Sequence, residues 1–151
     1  MARIRTIKPH FFKSQDVTEL SYQARLTWIG LWTYVDDAGR GRDDARLIKG
    51  ELWPLEDDVT WQDVERVLTE LSLSLHVVRY TVENRHFLAI PKWLDHQVIS
   101  RPSISKFPAP TPENIREVAP LTEDSVSTHG ANTAGTGNRE QGKGTGKGNS
   151  S

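Results

Sequence analysis

The chain contains no cysteine, which excludes disulfide frameworks and thiolate metal sites. It has no apolar run near the ~18 residues that a bilayer-spanning helix needs, and its basic start leads into no signal-type apolar stretch. These absences predict a cytoplasmic protein without membrane attachment. Neither sign of charge dominates, since 19 Lys and Arg face 20 Asp and Glu. Aromatic residues are missing after Phe107, and from Thr111 onward Gly, Ser, Thr, Asn and Glu dominate. Such a stretch buries too little surface to offset an ordering cost of roughly 1–2 kcal/mol per residue. We therefore expect one domain over residues 1–110, with a basic N-terminal arm, and a disordered low-complexity tail over residues 111–151.

What is present is concentrated before that boundary. Four of the five tryptophans lie between Trp28 and Trp61. Residues 3–7 alternate basic and apolar side chains, which suits a short extended segment, and Pro9 can open a helical turn carrying Phe11 and Phe12. Ser21 is a natural N-cap for a helix over residues 22–37. That helix is apolar around most of its cylinder, with Gln23, Thr27, Gly30 and Tyr34 as its one polar stripe, so it is expected at the centre of the fold. A glycine-containing turn and a short strand near Gly41 follow. Asp43 then caps a helix over residues 44–53, which Pro54 stops.

Thr60 and Asp63 have capping-box spacing, flanked by Val59 and Val64 at the two positions of a hydrophobic staple; they predict a helix over residues 61–73. Two β-rich segments, residues 77–82 and 86–90, joined by Glu83-Asn84-Arg85, predict a hairpin. Pro91 starts a turn bearing Trp93 and Leu94, and the proline-rich stretch after Arg101 reads as an extended exit. The order predicts an α+β winged helix-turn-helix domain, a three-helix core with a β-hairpin wing.

Enzyme chemistry finds no foothold. Residues 137–143 (GNREQGK) match most of a phosphate-binding loop, yet Gly144 replaces the hydroxyl residue that would hold magnesium, and no strand precedes them. Asp36, Asp37, Asp43 and Asp44 cluster as oxygen ligands for a hard cation would, but lack calcium-loop spacing and suit helix ends better. The five histidines are scattered. No nucleophile–base arrangement can be placed, so we expect a non-enzymatic protein without cofactor or metal.

Basic residues suggest a different role. Arg3, Arg5, Lys8 and Lys13 precede the first acid, Asp16; Arg40, Arg42, Arg46 and Lys49 bracket the turn into the second helix; Arg79 and Arg85 lie on the ribbon and its tip. An arm and a wing of this kind reach phosphates or the minor groove, so these ten residues are the candidate DNA contacts. The third helix argues against deep base reading, because Asp63, Glu65 and Glu70 outnumber Arg66 on its exposed face and like charges repel phosphates. A protein-interaction or oligomerisation module without DNA contact is the alternative, since such domains also join proteins.

The segments MARIRTIKPHFFKSQDV, LSYQARLTWIGLWTYVDDAGR, DDARLIKGELWP and FLAIPKWLDHQVISRPSISKFPAP resemble a group of small helix-turn-helix or replication-initiation-like proteins from actinobacterial phages and prophages. More loosely, the N-terminal part is similar to the winged-helix domain of phage replisome organisers and the DnaD primosomal family. The resemblance spans residues 1–110. It implies DNA-associated work inside a host cell, in replication initiation or in transcription control, with a helicase or its loader as partner and self-association as a further expectation. The second helical domain of DnaD-type proteins has no counterpart here, and no base-reading residue is carried over.

Overall fold

Short polar side chains set most of the helix starts. In the computed structural model, which describes residues 2–116, a 3-10 turn at Pro9–Lys13 opens with its proline in the first turn. Ser14 caps the one-turn helix α1 (Gln15–Thr18), and Ser21 caps α2 (Tyr22–Tyr34) by accepting from the Ala24 amide. Asp44 caps α3 (Ala45–Leu52), accepting from the amides of Arg46 and Leu47. Ahead of α4 (Trp61–Leu73), the Thr60 hydroxyl accepts from the Asp63 amide at 3.1 Å and the Asp63 carboxylate accepts from the Thr60 amide at 2.9 Å. This is the reciprocal cap that the spacing predicted. A last turn, α5, covers Trp93–His96.

Two boundaries differ from expectation for physical reasons. The cap of α3 is Asp44, not Asp43, because Asp43 turns inward to an arginine on the sheet. Helix α2 stops at Tyr34 instead of residue 37, since Val35 is already extended. The N-terminal residues 3–7 join no strand; the Arg3 amide donates to the Thr33 carbonyl at the end of α2.

Strands β1 (Arg40–Arg42), β2 (Val78–Val82) and β3 (Arg85–Ala89) form an antiparallel sheet in the order β1-β3-β2. Gly41 and Arg79 both stand opposite Leu88, one from each side. The β2–β3 connection is the two residues Glu83 and Asn84, both at positive φ (51° and 63°). That backbone matches the right-handed twist of the flanking strands, and it releases Arg85 from the loop to pair with Val82. The described fold is therefore mixed α+β.

Two apolar clusters hold it. The larger gathers Trp28, Leu31 and Trp32 of α2 with Ile48, Val64, Leu68, Leu71, Leu88 and Trp93. The smaller lies on the other face of the sheet, where Tyr80, Phe87 and Ala89 pack with Phe107. Helix α2 is central, but its expected polar stripe is inverted. Thr27 is 1% exposed and accepts from the Trp53 indole N–H at 3.1 Å. A Cβ on Gly30 would meet the Leu52 side chain at 2.9 Å, and the Tyr34 hydroxyl donates to the Arg42 carbonyl. The stripe thus receives α3, and it is Tyr22 (81% exposed) and Leu26 (57% exposed) that face outward.

The segment expected as an exit instead returns across the sheet. Ser103 donates through both its amide and hydroxyl to Asp37, and the Ser105 hydroxyl donates to Asp36. The Phe107 carbonyl accepts from Arg40, and the Pro108 carbonyl accepts from the Tyr80 hydroxyl at 2.6 Å. Burial pushes the Tyr80 phenol up to about 12. Ile115 bridges to Tyr80, while the Thr81 amide donates to the Asn114 carbonyl and the Arg116 amide to the Arg79 carbonyl, which occupies part of the outer edge of β2. The chain therefore stays on the domain through Arg116, past residue 110. The rest of the expected tail, residues 117–151, and the loop-like residues 137–143 lie outside the described residues. Among the described residues no helix is long and apolar enough to cross a membrane.

Candidate nucleic-acid interface

The ten basic candidates separate into two groups. One group is built into the fold. Arg79 on β2 points to the helices and is 7% exposed. Its guanidinium donates to Asp43 at 2.7 and 2.9 Å, to both Glu65 oxygens at 2.9 Å, and to the Thr69 hydroxyl. Burial works to lower its pKa, but the Asp43 and Glu65 hydrogen bonds outweigh this and hold it above its ordinary value. Arg116 adds a further ion pair to Asp43. Arg79 is thus a packing cation, not the ribbon-surface contact the sequence predicted.

Arg5 caps the C-terminal end of α2. It donates to the Trp32 and Val35 carbonyls at 2.8 and 3.0 Å and to Asp37 at 3.2 Å, with its guanidinium over the Trp93 ring. A cation there satisfies orphan carbonyls and complements the helix dipole. Arg3 also reaches Asp37, at 3.0 Å. The Ser103 amide is the main influence holding the Asp37 carboxyl down to about 2, against opposing burial; the Ser103 hydroxyl, Arg5 and Arg3 add to it. Lys8 donates to the Asp95 carbonyl of α5, Lys49 to the Trp53 and Glu56 carbonyls beyond α3, and Arg40 to the Phe107 carbonyl. The arm is a clamp.

The second group remains outward. Lys13, Arg42, Arg46 and Arg85 are exposed and make no ion pair among the described residues. The Arg46 guanidinium sits 4.3 Å from the Trp61 ring centre, which places the first turn of α3 beside the first turn of α4. Across the β1–β3 ladder Arg42 stands opposite Phe87, and the Arg85 guanidinium lies over that same ring at 5.5 Å. Cross-strand partners share a face, so Arg42 and Arg85 flank one aromatic on the outer side of the sheet.

The acids of α4 change meaning in three dimensions. Asp63 closes the capping box and pairs with Arg66; Glu65 neutralises Arg79; Glu70 accepts from both the amide and hydroxyl of Ser21 at 2.9 Å, steadying the start of α2. Asp63 and Glu65 are thus charge-paired, whereas Glu70 is engaged by a neutral serine. Gln62 and Arg66, four residues apart, remain on the outward face of its first turns. The Arg46–Trp61 stack spans two helices and left no local signal in the sequence.

Asp36, Asp37, Asp43 and Asp44 are likewise spent on turn, strap, ion-pair and cap contacts. Among the described residues no group of three or more His, Cys, Asp or Glu is arranged to hold a metal ion. No protein-family model, curated protein or solved structure matches the chain.

Proposed function

We propose that this domain is a non-enzymatic DNA-binding module of the winged-helix kind, acting in phage or prophage replication initiation or in transcription control. The element order supports the fold reading: helix, strand, two helices and a hairpin, with the first strand joined to the last. In that plan α4 faces the major groove and the hairpin turn is the wing. The observation that carries DNA contact is the fate of charge at the start of α4. Two of its acids, Asp63 and Glu65, are paired with arginines, while Arg46, Arg42 and Arg85 stay outward beside Trp61 and Phe87. These cations meet phosphates, and Gln62 on the first turn of α4 is the residue proposed for base edges. A helicase or its loader is the partner class this role calls for.

The test is retention on duplex and single-stranded DNA across a salt series, for the full chain and for Arg42→Ala/Arg46→Ala/Arg85→Ala. The triple variant should bind more weakly, with a log–log salt slope shallower by about 2–3, since each phosphate contact contributes about 0.9. Retention and slope unchanged in a folded triple variant would overturn the interface. A second reading, self-association or protein binding without DNA contact, draws on exposed Tyr22 and Leu26, four residues apart on α2. It predicts salt-insensitive oligomers and no retention on DNA.

A further inference from the structure

On the side of α2 that carries Trp28 and Trp32 lies a cavity of about 740 Å³, bounded by the Pro9–Lys13 turn, α1, the turn after α4, and α5. Its size falls within the range of small-molecule sites. Four ring systems shape it. His76 meets Trp28 edge-on with ring centres 5.0 Å apart, and His96 stacks on Trp32 at 5.6 Å while meeting Trp28 edge-on. Trp28 and Trp32 are buried (2% and 3% exposed), so His76 and His96, each partly exposed, are the rings that a flat guest can lie against.

Of the rings that line the opening, that of His96 makes no hydrogen bond among the described residues. Leu75 and Lys92, on two lips of the cavity, both hold left-handed backbone (φ 64° and 56°). At Leu75 this backbone closes α4, with the Leu75 and His76 amides donating to the Ser72 and Leu71 carbonyls. Rim charge is balanced: Lys8 and Lys92 against Asp16 and Asp95. Lys8 is moreover already bonded to the Asp95 carbonyl.

We infer that this cavity is a binding site for a small, uncharged, planar heteroaromatic molecule of nucleobase or nucleoside size. The guest lies against the His76 and His96 rings; Nδ1 of His76 is already bonded to the Ser74 hydroxyl at 2.8 Å, so His76 offers only Nε2, while the neutral His96 ring offers one donor and one acceptor. Burial depresses the pKa of both imidazoles, and Lys8 and His76 depress that of His96 further; Asp16 and Glu70 oppose this at His76, and Asp95 at His96. The rings are therefore neutral at pH 7 and above. The site is separate from Arg42, Arg46 and Arg85 and does not depend on the DNA reading.

Calorimetric titration of the full chain with adenosine, thymidine and AMP at pH 8, followed in parallel by tryptophan fluorescence, tests the inference. At least one nucleoside should bind with a dissociation constant of about 1 mM or tighter and quench the indole emission. AMP should match adenosine within about twofold, because the rim carries no net charge. His96→Ala should weaken binding about five- to tenfold through the lost stack, with folding checked by circular dichroism. Arg42→Ala/Arg46→Ala/Arg85→Ala should leave nucleoside binding intact. Binding should weaken once the pH falls through the lowered pKa values of these imidazoles. No heat and no quenching with either nucleoside would overturn the site; a strong preference for AMP would overturn its uncharged character.

Discussion

Replacing Arg79 by methionine separates structural arginines from functional ones. The side chain leaves behind two carboxylates in different surroundings. Glu65 is 36% exposed and rehydrates at little cost, because half-exposed pairs contribute only ~0–1 kcal/mol. Asp43 is 0% exposed and keeps only Arg116, itself partly exposed. Removing one partner of a buried pair costs about 3–5 kcal/mol, because the remaining charge stays buried. Against a total of about 5–15 kcal/mol for a domain of this size, Arg79→Met should remove a large share of the stability. Urea unfolding followed by tryptophan fluorescence reads this as a lower midpoint with an unchanged slope. Arg79→Met/Asp43→Leu, which removes the stranded charge, should recover most of the loss. A single variant less than ~1 kcal/mol below the wild type, or a double variant no better than the single, would refute the reasoning.

Other perturbations probe separate features. Thr27→Val strands the Trp53 indole N–H inside the core and should cost about 1–3 kcal/mol in the same urea assay. Gly39→Ala meets two obstacles, a φ of +79° and a Cβ 2.7 Å from Trp93 Cγ; strain and overpacking together predict a loss of about 2–5 kcal/mol. His76 and His96 have folded-state pKa values below the ordinary 6.5, so the unfolded chain binds more protons near that pH. Stability is then fully present above about 6.5 and declines as the pH falls through the lowered folded values. The thermal midpoint should drop as the pH is lowered below about 6.5, and His76→Gln/His96→Gln should flatten that dependence.

The features legible in the sequence are those whose partners are close along the chain. Thr60 and Asp63 are three residues apart, and their mutual cap fixes the start of α4 without reference to the rest of the molecule. The hairpin strands and the Ser21 cap are equally local. Asp43 was misassigned as a cap because its real partner, Arg79, is 36 residues away. Asp43 and Asp44 are chemically equivalent as caps, and only the sheet decides between them. The polarity of Thr27 suggested solvent until Trp53 supplied a buried donor. For the candidate site, the sequence offers all ten basic residues alike; separating exposed Arg42, Arg46 and Arg85 from Arg3 and Arg5 clamped on Asp37 needed the fold. The proline-rich return across the sheet has no periodicity to betray it, since its bonds run through serine hydroxyls and backbone carbonyls.

That return has a consequence for how the protein is made. A ribosome that has released only the first 98 residues presents Tyr80 and Phe87 without Phe107 to cover them, and Asp37 without Ser103. Closure of the outer sheet face waits for the arrival of residues 103–116, the last of the described chain to emerge. Fragments used to isolate this domain should therefore end beyond Arg116; those cut near residue 100 will display an open aromatic surface and are expected to aggregate.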